Sequence, residues 1–310
     1  MSTPARKQYL RIKKQHQDEV LLFRMGDFYE TFDNDARLIS RELEIALTSR
    51  EMGKGTRVPL AGIPYHALDG YLAKLIKKGY RVAICEQTSD PATSRGIVDR
   101  EVVRVVTPGT VIEDSILDRK ANNYLAATVT DGDRAGLAYV DITTSEFATS
   151  EFPAPELPVE LAGLEAAELL VAEGYLPLDT GDATNGDASI TTLSSDMFNE
   201  DWAREALHNA FGVTSLEGFG CERLPLAVRA AGAIVRYLED HRSGALGQLN
   251  SLYTYSTESY MVLDPQTRRN LELFEGGRWG GDAGASLLAV IDHTKTSMGA
   301  RLLRRWLGRP

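Results

Sequence analysis

Cysteine is nearly absent. Cys85 and Cys221 stand far apart with no metal-ligand spacing, which argues against a disulfide framework or a zinc cluster and for two buried free thiols in a reducing compartment. Long apolar runs are missing too: none approaches the ~18 residues that span a bilayer. The opening Met1-Ser2-Thr3-Pro4-Ala5-Arg6-Lys7 runs into charge without the apolar core of a leader, so a cytoplasmic location is expected. The histidines His16, His66, His208, His241 and His293 form no metal-spaced pair. There is no nucleotide-binding phosphate loop either, because Gly53-Lys54 is followed by Gly55 and position 48, where the first glycine would stand, is Thr. Gly276-Gly277-Arg278-Trp279-Gly280-Gly281 fails the dinucleotide spacing and reads as a loop. No metal or cofactor is expected in this chain.

A basic excess is also lacking, since the net charge is −10. The deficit is uneven. Residues 1–110 carry 18 Lys+Arg against 14 Asp+Glu, and the remainder 34 − 18 = 16 against 44 − 14 = 30. Any phosphate-facing surface is therefore expected in the first third. With 310 residues and 43% hydrophobic content, several domains are expected at roughly 100 to 200 residues each. Residues 5–16 read as a basic helix with Arg6, Lys7, Arg11, Lys13 and Lys14. The strand Val20 to Arg24 and a helix from near Asp33, with Asp33 or Asn34 as N-cap, follow. Leu68, Tyr71, Leu72, Leu75 and Ile76 follow helical spacing, and Gly79 ends that helix. Arg81 to Cys85 and Val102 to Val106 read as strands. Tyr124 to Thr130 and Gly136 to Thr144 form a hairpin about Asp131-Gly132-Asp133. A broken loop at Phe152 to Pro158, a helix from Pro158 to Glu165, a strand at Glu168 to Ala172, a loop at Thr180 to Ser189 and a long helix from Pro225 to His241 follow. The last helix carries Leu302, Leu303, Trp306 and Leu307 on one face, with no following chain to bury them. A fragment of a longer protein is the expectation.

The densest local signal is Leu21-Leu22-Phe23-Arg24-Met25-Gly26-Asp27-Phe28-Tyr29-Glu30. Side chains alternate along extended backbone, so Phe28 and Glu30 share a face and an aromatic ring and a carboxylate reach outward together. Further words follow in order around it: Gln8-Tyr9-Leu10-Arg11-Ile12-Lys13, Pro59-Leu60-Ala61-Gly62-Ile63-Pro64-Tyr65-His66, Ala83-Ile84-Cys85-Glu86-Gln87, Asp90-Pro91-Ala92-Thr93-Ser94 and Val102-Val103-Arg104-Val105-Val106-Thr107-Pro108-Gly109-Thr110. Together they resemble the N-terminal portion of the DNA mismatch repair MutS family.

The resemblance implies a multidomain, mixed α/β chain: a mismatch-recognition domain at 1–110, a ribonuclease H-like α/β connector domain at 111–257, and at 258–310 the start of a helical core or lever domain. It implies that Phe28 inserts into the minor groove and stacks on a mispaired base. A wedge there costs a few kcal/mol of unstacking, and less where pairing is already faulty. Glu30 would accept a hydrogen bond from the exposed base edge and penalise intact duplex. Tyr29, between them, belongs to the same DNA-facing set, and by matching position Arg50, Leu60, Gln87 and Arg100 would hold the groove or the neighbouring backbone. For an intact family member the resemblance further implies a homodimeric clamp, ATP and magnesium at distant ATPase domains, and recruitment of MutL. This chain, without a phosphate loop, is expected to hydrolyse no ATP and to be largely monomeric. Two rivals stand beside this reading. Asp131, Asp133 and Asp141 could form the carboxylate cluster of a metal-dependent nuclease, or a hairpin turn and a strand-end Asp. Residues 111–257 could instead serve mainly to dock MutL.

Overall fold

The structure, a computed structural model, describes residues 3–53, 55, 57–88, 98–113, 115–175, 188–241, 246–276 and 285–310. The Asp90 to Ser94 word, most of the loop at Thr180 to Ser189 and most of the Gly276 to Gly281 segment lie outside these residues. The chain divides into two compact units, Met1–Ile116 and Leu117–Pro310. Each is mixed α/β, as the sequence led one to expect.

In the first unit, helix α1 (Pro4–Gln15) precedes a tight hairpin of β1 (Val20–Met25) and β2 (Phe28–Phe32). Helix α2 (Asp33–Leu43), strands β3 (Thr48–Glu51) and β4 (Arg57–Pro64), helix α3 (Leu68–Lys77) and strands β5 (Val82–Gln87) and β6 (Arg100–Val106) follow. The strands form one sheet in the order β3-β4-β2-β1-β5-β6, in which only the β1/β5 pair is parallel. Helix α1 packs on one face. There Tyr9 meets Phe23 and Phe32 edge-on, at ring separations of 5.6 and 4.8 Å, within a cluster that includes Ile12, Leu21, Val58, Ala83 and Cys85. Helices α2 and α3 bury Ala36, Ile39, Leu43, Leu72, Leu75 and Ile76, as the spacing predicts for α3. The expected cap of α2 does not form. Its N-cap is Phe32, which makes no side-chain cap hydrogen bond. The Asp33 carboxylate is taken by Arg6, which reaches it from α1. An ion pair to a neighbouring element has replaced the local bond.

The second unit is built on the meander β7 (Leu125–Asp131), β8 (Arg134–Asp141) and β9 (Glu146–Pro153). Helix α4 (Leu157–Leu164), strands β10 (Glu168–Ala172) and β11 (Ser189–Leu193), helices α5 (Glu200–Phe211) and α6 (Pro225–His241), strand β12 (Tyr253–Thr254) and helices α7 (Pro265–Asn270), α8 (Leu287–Ile291) and α9 (Ser297–Gly308) complete it. The sheet order is β11-β10-β7-β8-β9-β12, antiparallel through the meander and parallel at its flanks. The hairpin about Gly132-Asp133 is where the sequence puts it. Strand β9 and helix α5 are not evident in the sequence. Most of β9 is buried on both faces, so it lacks the apolar-polar alternation that marks a half-buried strand.

Helix α6 lies against the meander closely enough that Gly136 on β8 is a packing requirement. A Cβ there would stand 2.2 Å from the Leu226 carbonyl oxygen and 2.8 Å from the Leu226 Cβ. Because backbone must move to admit a methyl group, Gly136→Ala is expected to destabilise the second unit by about 3 kcal/mol. Urea unfolding followed by far-ultraviolet circular dichroism checks this, and an unchanged midpoint would contradict the close approach.

Candidate nucleic-acid interface

Register decides which side chains share the open part of the first sheet. The β1/β2 hairpin pairs Met25 with Phe28, Arg24 with Tyr29 and Phe23 with Glu30. On the other side, β4 sets Pro64 opposite Phe28, Gly62 opposite Glu30 and Leu60 opposite Phe32. Strand β3 then places Arg50 opposite Val58 and Thr48 opposite Leu60. Directly paired residues point to the same face, so Phe28, Glu30, Leu60 and Arg50 belong to one surface, the one on which α1 packs.

Gln87 and Arg100 join that surface through an irregularity. Strands β5 and β6 pair Ile84 with Arg104, and then, after a bulge, Cys85 with Val102 and Gln87 with Arg100. Uninterrupted pairing would place Arg100 one position along, on the opposite face, because side chains alternate with period two. The bulge brings it round. Its guanidinium lies 5.0 Å from the Phe23 ring centroid and donates to the Arg24 carbonyl at 2.6 Å, the Val98 carbonyl at 2.8 Å and Gln8 Oε1 at 3.2 Å. Arg100 is thus buried and fixed.

The structure brings six of the seven expected residues onto one face, and Tyr29 points to the other. Tyr29 is 3% exposed and its hydroxyl donates to Glu86 Oε1. Burial, together with that bond and the Glu86 charge, pushes its phenol up to about 12. Phe28 and Glu30 share a face as the alternation requires, but they do not reach outward equally. Phe28 is 46% exposed and Glu30 only 8%. Glu30 is held by Arg50, whose Nη1 donates to Oε2 at 2.8 Å. Burial raises the Glu30 carboxyl above its ordinary value, against the opposing pull of Arg50 and, less strongly, Arg100. Leu60 is half-buried against the cluster beneath α1, and Gln87 is half-buried at the end of β5.

Gly26, Arg24, Tyr65 and Gly62 complete the geometry. Gly26 turns the hairpin with φ +60°, a left-handed conformation that glycine adopts without steric cost. Arg24 Nε donates to the Gly26 carbonyl at 2.5 Å, and its guanidinium lies 4.1 Å from the Tyr65 ring centroid; the Tyr65 amide donates to the Asp27 carbonyl at 2.9 Å. The turn that carries Phe28 is therefore tied down from β1 and from the end of β4. Gly62, opposite Glu30, leaves the flank of that carboxylate without a side chain; a Cβ there would sit 3.6 Å from Glu30 Cγ. Nothing local in the sequence marks Gly62, because its importance depends on strand pairing.

The basic helix has a divided role. Arg6 is paired with Asp33, and Lys13 with Asp35 at 2.9 Å. Lys7, Arg11 and Lys14 are exposed at i, i+4 and i+7 and make no ion pair among the described residues. In the second unit, the three candidate nuclease aspartates do not converge. Asp131 and Asp133 flank the turn at one end of β8 and Asp141 ends the other, about 23 Å away at the usual rise per residue. Asp141 is fully buried and accepts from Asn122, the Asn123 amide, and the Thr143 amide and hydroxyl. Among the described residues no group of three or more His, Cys, Asp or Glu is placed to hold a metal ion, and no helix is long and apolar enough to cross a membrane.

Comparison with known proteins identifies the family. The family models described as MutS domain I, MutS domain II and MutS domain III match residues 3–115, 123–250 and 266–310 in order. The DNA mismatch repair protein MutS of Dehalococcoides mccartyi (strain ATCC BAA-2266 / KCTC 15142 / 195) is 50% identical over 99% of this chain and 35% of its own length. Those of Symbiobacterium thermophilum and Thermosynechococcus vestitus are 48% and 46% identical over 100% and 99% of this chain, and over 36% and 37% of their own lengths. The chain belongs to the MutS family. It spans about a third of the length of the curated relatives it matches.

The Tyr29 phenol supplies a test of the site's packing. A phenol raised on folding contributes stability that is full below the free value of about 10 and is lost as pH rises through the folded value. Tyr29→Phe is therefore expected to cost about 1 kcal/mol near neutral pH, with the deficit against the parent shrinking as pH rises toward the folded value of about 12. Paired urea titrations across that range measure it. A pH-independent difference would mean that Tyr29 is not held as described.

Proposed function

We propose that this chain reads mispaired or looped-out bases in duplex DNA by pressing Phe28 into the minor groove. The observation that carries the proposal is a large apolar ring, 46% exposed, at the tip of a hairpin pinned by Arg24 and Tyr65. A mobile loop would lose ordering entropy on inserting a wedge, whereas a pinned turn has lost it already. The wedge unstacks one base step, which is easiest where pairing is defective, so the lesion is recognised through deformability and no base code is needed. Glu30, on the same face and flanked by Gly62, is placed to accept a hydrogen bond from the displaced base edge. Leu60 and Gln87 border that surface, and Arg100 acts from within by fixing β1 and β6. Tyr29 supports the wedge from the far face of the sheet and does not itself touch DNA. In this reading the chain supplies recognition. ATP hydrolysis with magnesium, clamp formation by two protomers and recruitment of MutL belong to the longer protein, with the second unit as the MutL-facing portion.

Phe28→Ala is expected to abolish the preference of this chain for a duplex with one unpaired base over the matched duplex. It should shift the thermal unfolding midpoint only slightly, because nearly half of the residue's surface is already in water. Fluorescence anisotropy with the two duplexes measures the preference, and its retention would refute the wedge.

The exposed stripe Lys7, Arg11 and Lys14 is proposed to contact phosphates, which position a protein without specifying sequence. Replacing all three with Gln should weaken matched and unpaired duplexes alike. The slope of log affinity against log salt should become shallower by up to about 3, at about 0.9 per phosphate contact. An unchanged slope would assign the stripe to solvent.

A further inference from the structure

Resting on the reading of Phe28 and Glu30 above, we propose that Arg50 is a specificity-determining residue: it masks the Glu30 carboxylate in the free protein and on matched DNA, and exchanges with the N–H donor of a displaced base. A buried carboxylate needs a partner, and removal of one member of such a pair leaves an uncompensated charge. Two cations act on Glu30, and they differ in freedom. Arg100 is buried and committed to three oxygen acceptors. Arg50 stands on the edge strand β3, all four of whose residues are exposed, and its side chain is 46% exposed while that of Glu30 is 11% exposed. Among the described residues Arg50 is the hydrogen-bonding partner of Glu30 that can swing away.

The facing strand places no side chain opposite Glu30. Gly62 lies directly opposite Glu30 in the register and contributes no side chain, and even a methyl group there would approach the Tyr29 carbonyl oxygen to 3.2 Å. A matched duplex keeps its base edges paired and offers Glu30 nothing in exchange, so the neutral Glu30–Arg50 pair persists. A looped-out thymine carries a free imino N–H, which can take the place of the guanidinium on Oε2. Arg50 is then released toward the phosphates, where a cation is favoured. The ligand this arrangement selects is a base edge bearing a hydrogen-bond donor.

The test is a double-mutant cycle on the full chain with Glu30→Gln, Arg50→Gln and the combination, measured with a matched duplex and with the same duplex carrying one unpaired thymine. Because the pair is intact in the free protein and on matched DNA, the two substitutions should act additively on matched-duplex affinity. On the unpaired thymine, where the pair is broken, they should depart from additivity by about threefold to tenfold, and N3-methylthymine at that position should remove the departure. In the free protein, the Glu30 carboxyl resonance should titrate at higher pH in Arg50→Gln, which also reports that the variant is folded. Additivity on both duplexes, non-additivity on both, or an unmoved Glu30 titration would each overturn the exchange. If Phe28→Ala loses mismatch preference while the cycle is additive throughout, the exchange fails and the wedge stands. If Phe28→Ala keeps the preference, the underlying reading itself fails.

Discussion

The register of the first sheet is the constraint on which the proposed interface depends. Residues remote in sequence share a surface only because each strand is paired in one register with its neighbour, and a slip of one residue would send a whole set of side chains to the other face. The two-residue turn at Gly26-Asp27 fixes Phe28 opposite Met25. Strand β4 then fixes Gly62 beside Glu30, and the bulge in β5/β6 turns Arg100 inward toward the same face. The buried contacts of Tyr9, Phe23 and Phe32 under α1 hold that register, because slippage would expose aromatic surface on one side and bury charge on the other.

Electrostatics follow from this geometry. A carboxylate beside a polyanion is unfavourable in isolation, and an acidic chain with a net charge of −10 would gain little from adding one. Pairing with Arg50 changes the balance. The site is locally neutral at Glu30, while the exposed cations of α1 lie on the same side of the sheet. The acidic excess sits in the remainder of the chain, as the counts for the two parts show. In the proposed reading affinity and discrimination rest on different groups: surface lysines and arginine for phosphate attraction, and a wedge with a masked acceptor for the base.

Much of this was legible in the sequence, for identifiable reasons. The shared face of Phe28 and Glu30 follows from alternation along a strand, helices α3 and α6 follow from apolar spacing, and the β7/β8 turn follows from Asp131-Gly132-Asp133. What stayed hidden depends on partners distant in the chain. Alternation cannot show that Glu30 is buried and paired with Arg50 while Phe28 is open, because burial is decided by α1 and β3. No local pattern marks the bulge that turns Arg100 inward, and Tyr29 could be grouped with its neighbours only until its hydroxyl was seen to meet Glu86 on the far face. Asp33 looked like a cap until Arg6 claimed its carboxylate. Strand β9, mostly buried on both faces, had no periodic signature to offer.

In the proposed reading the ring at position 28 stacks directly on the unpaired base. Photo-crosslinking with a duplex carrying an unpaired 5-iodouracil, followed by peptide mass spectrometry, tests it directly. The account predicts a crosslink that maps to Phe28 and is absent when the same 5-iodouracil is paired with adenine. A crosslink of equal yield in the paired duplex, or one that maps to the second unit, would contradict it.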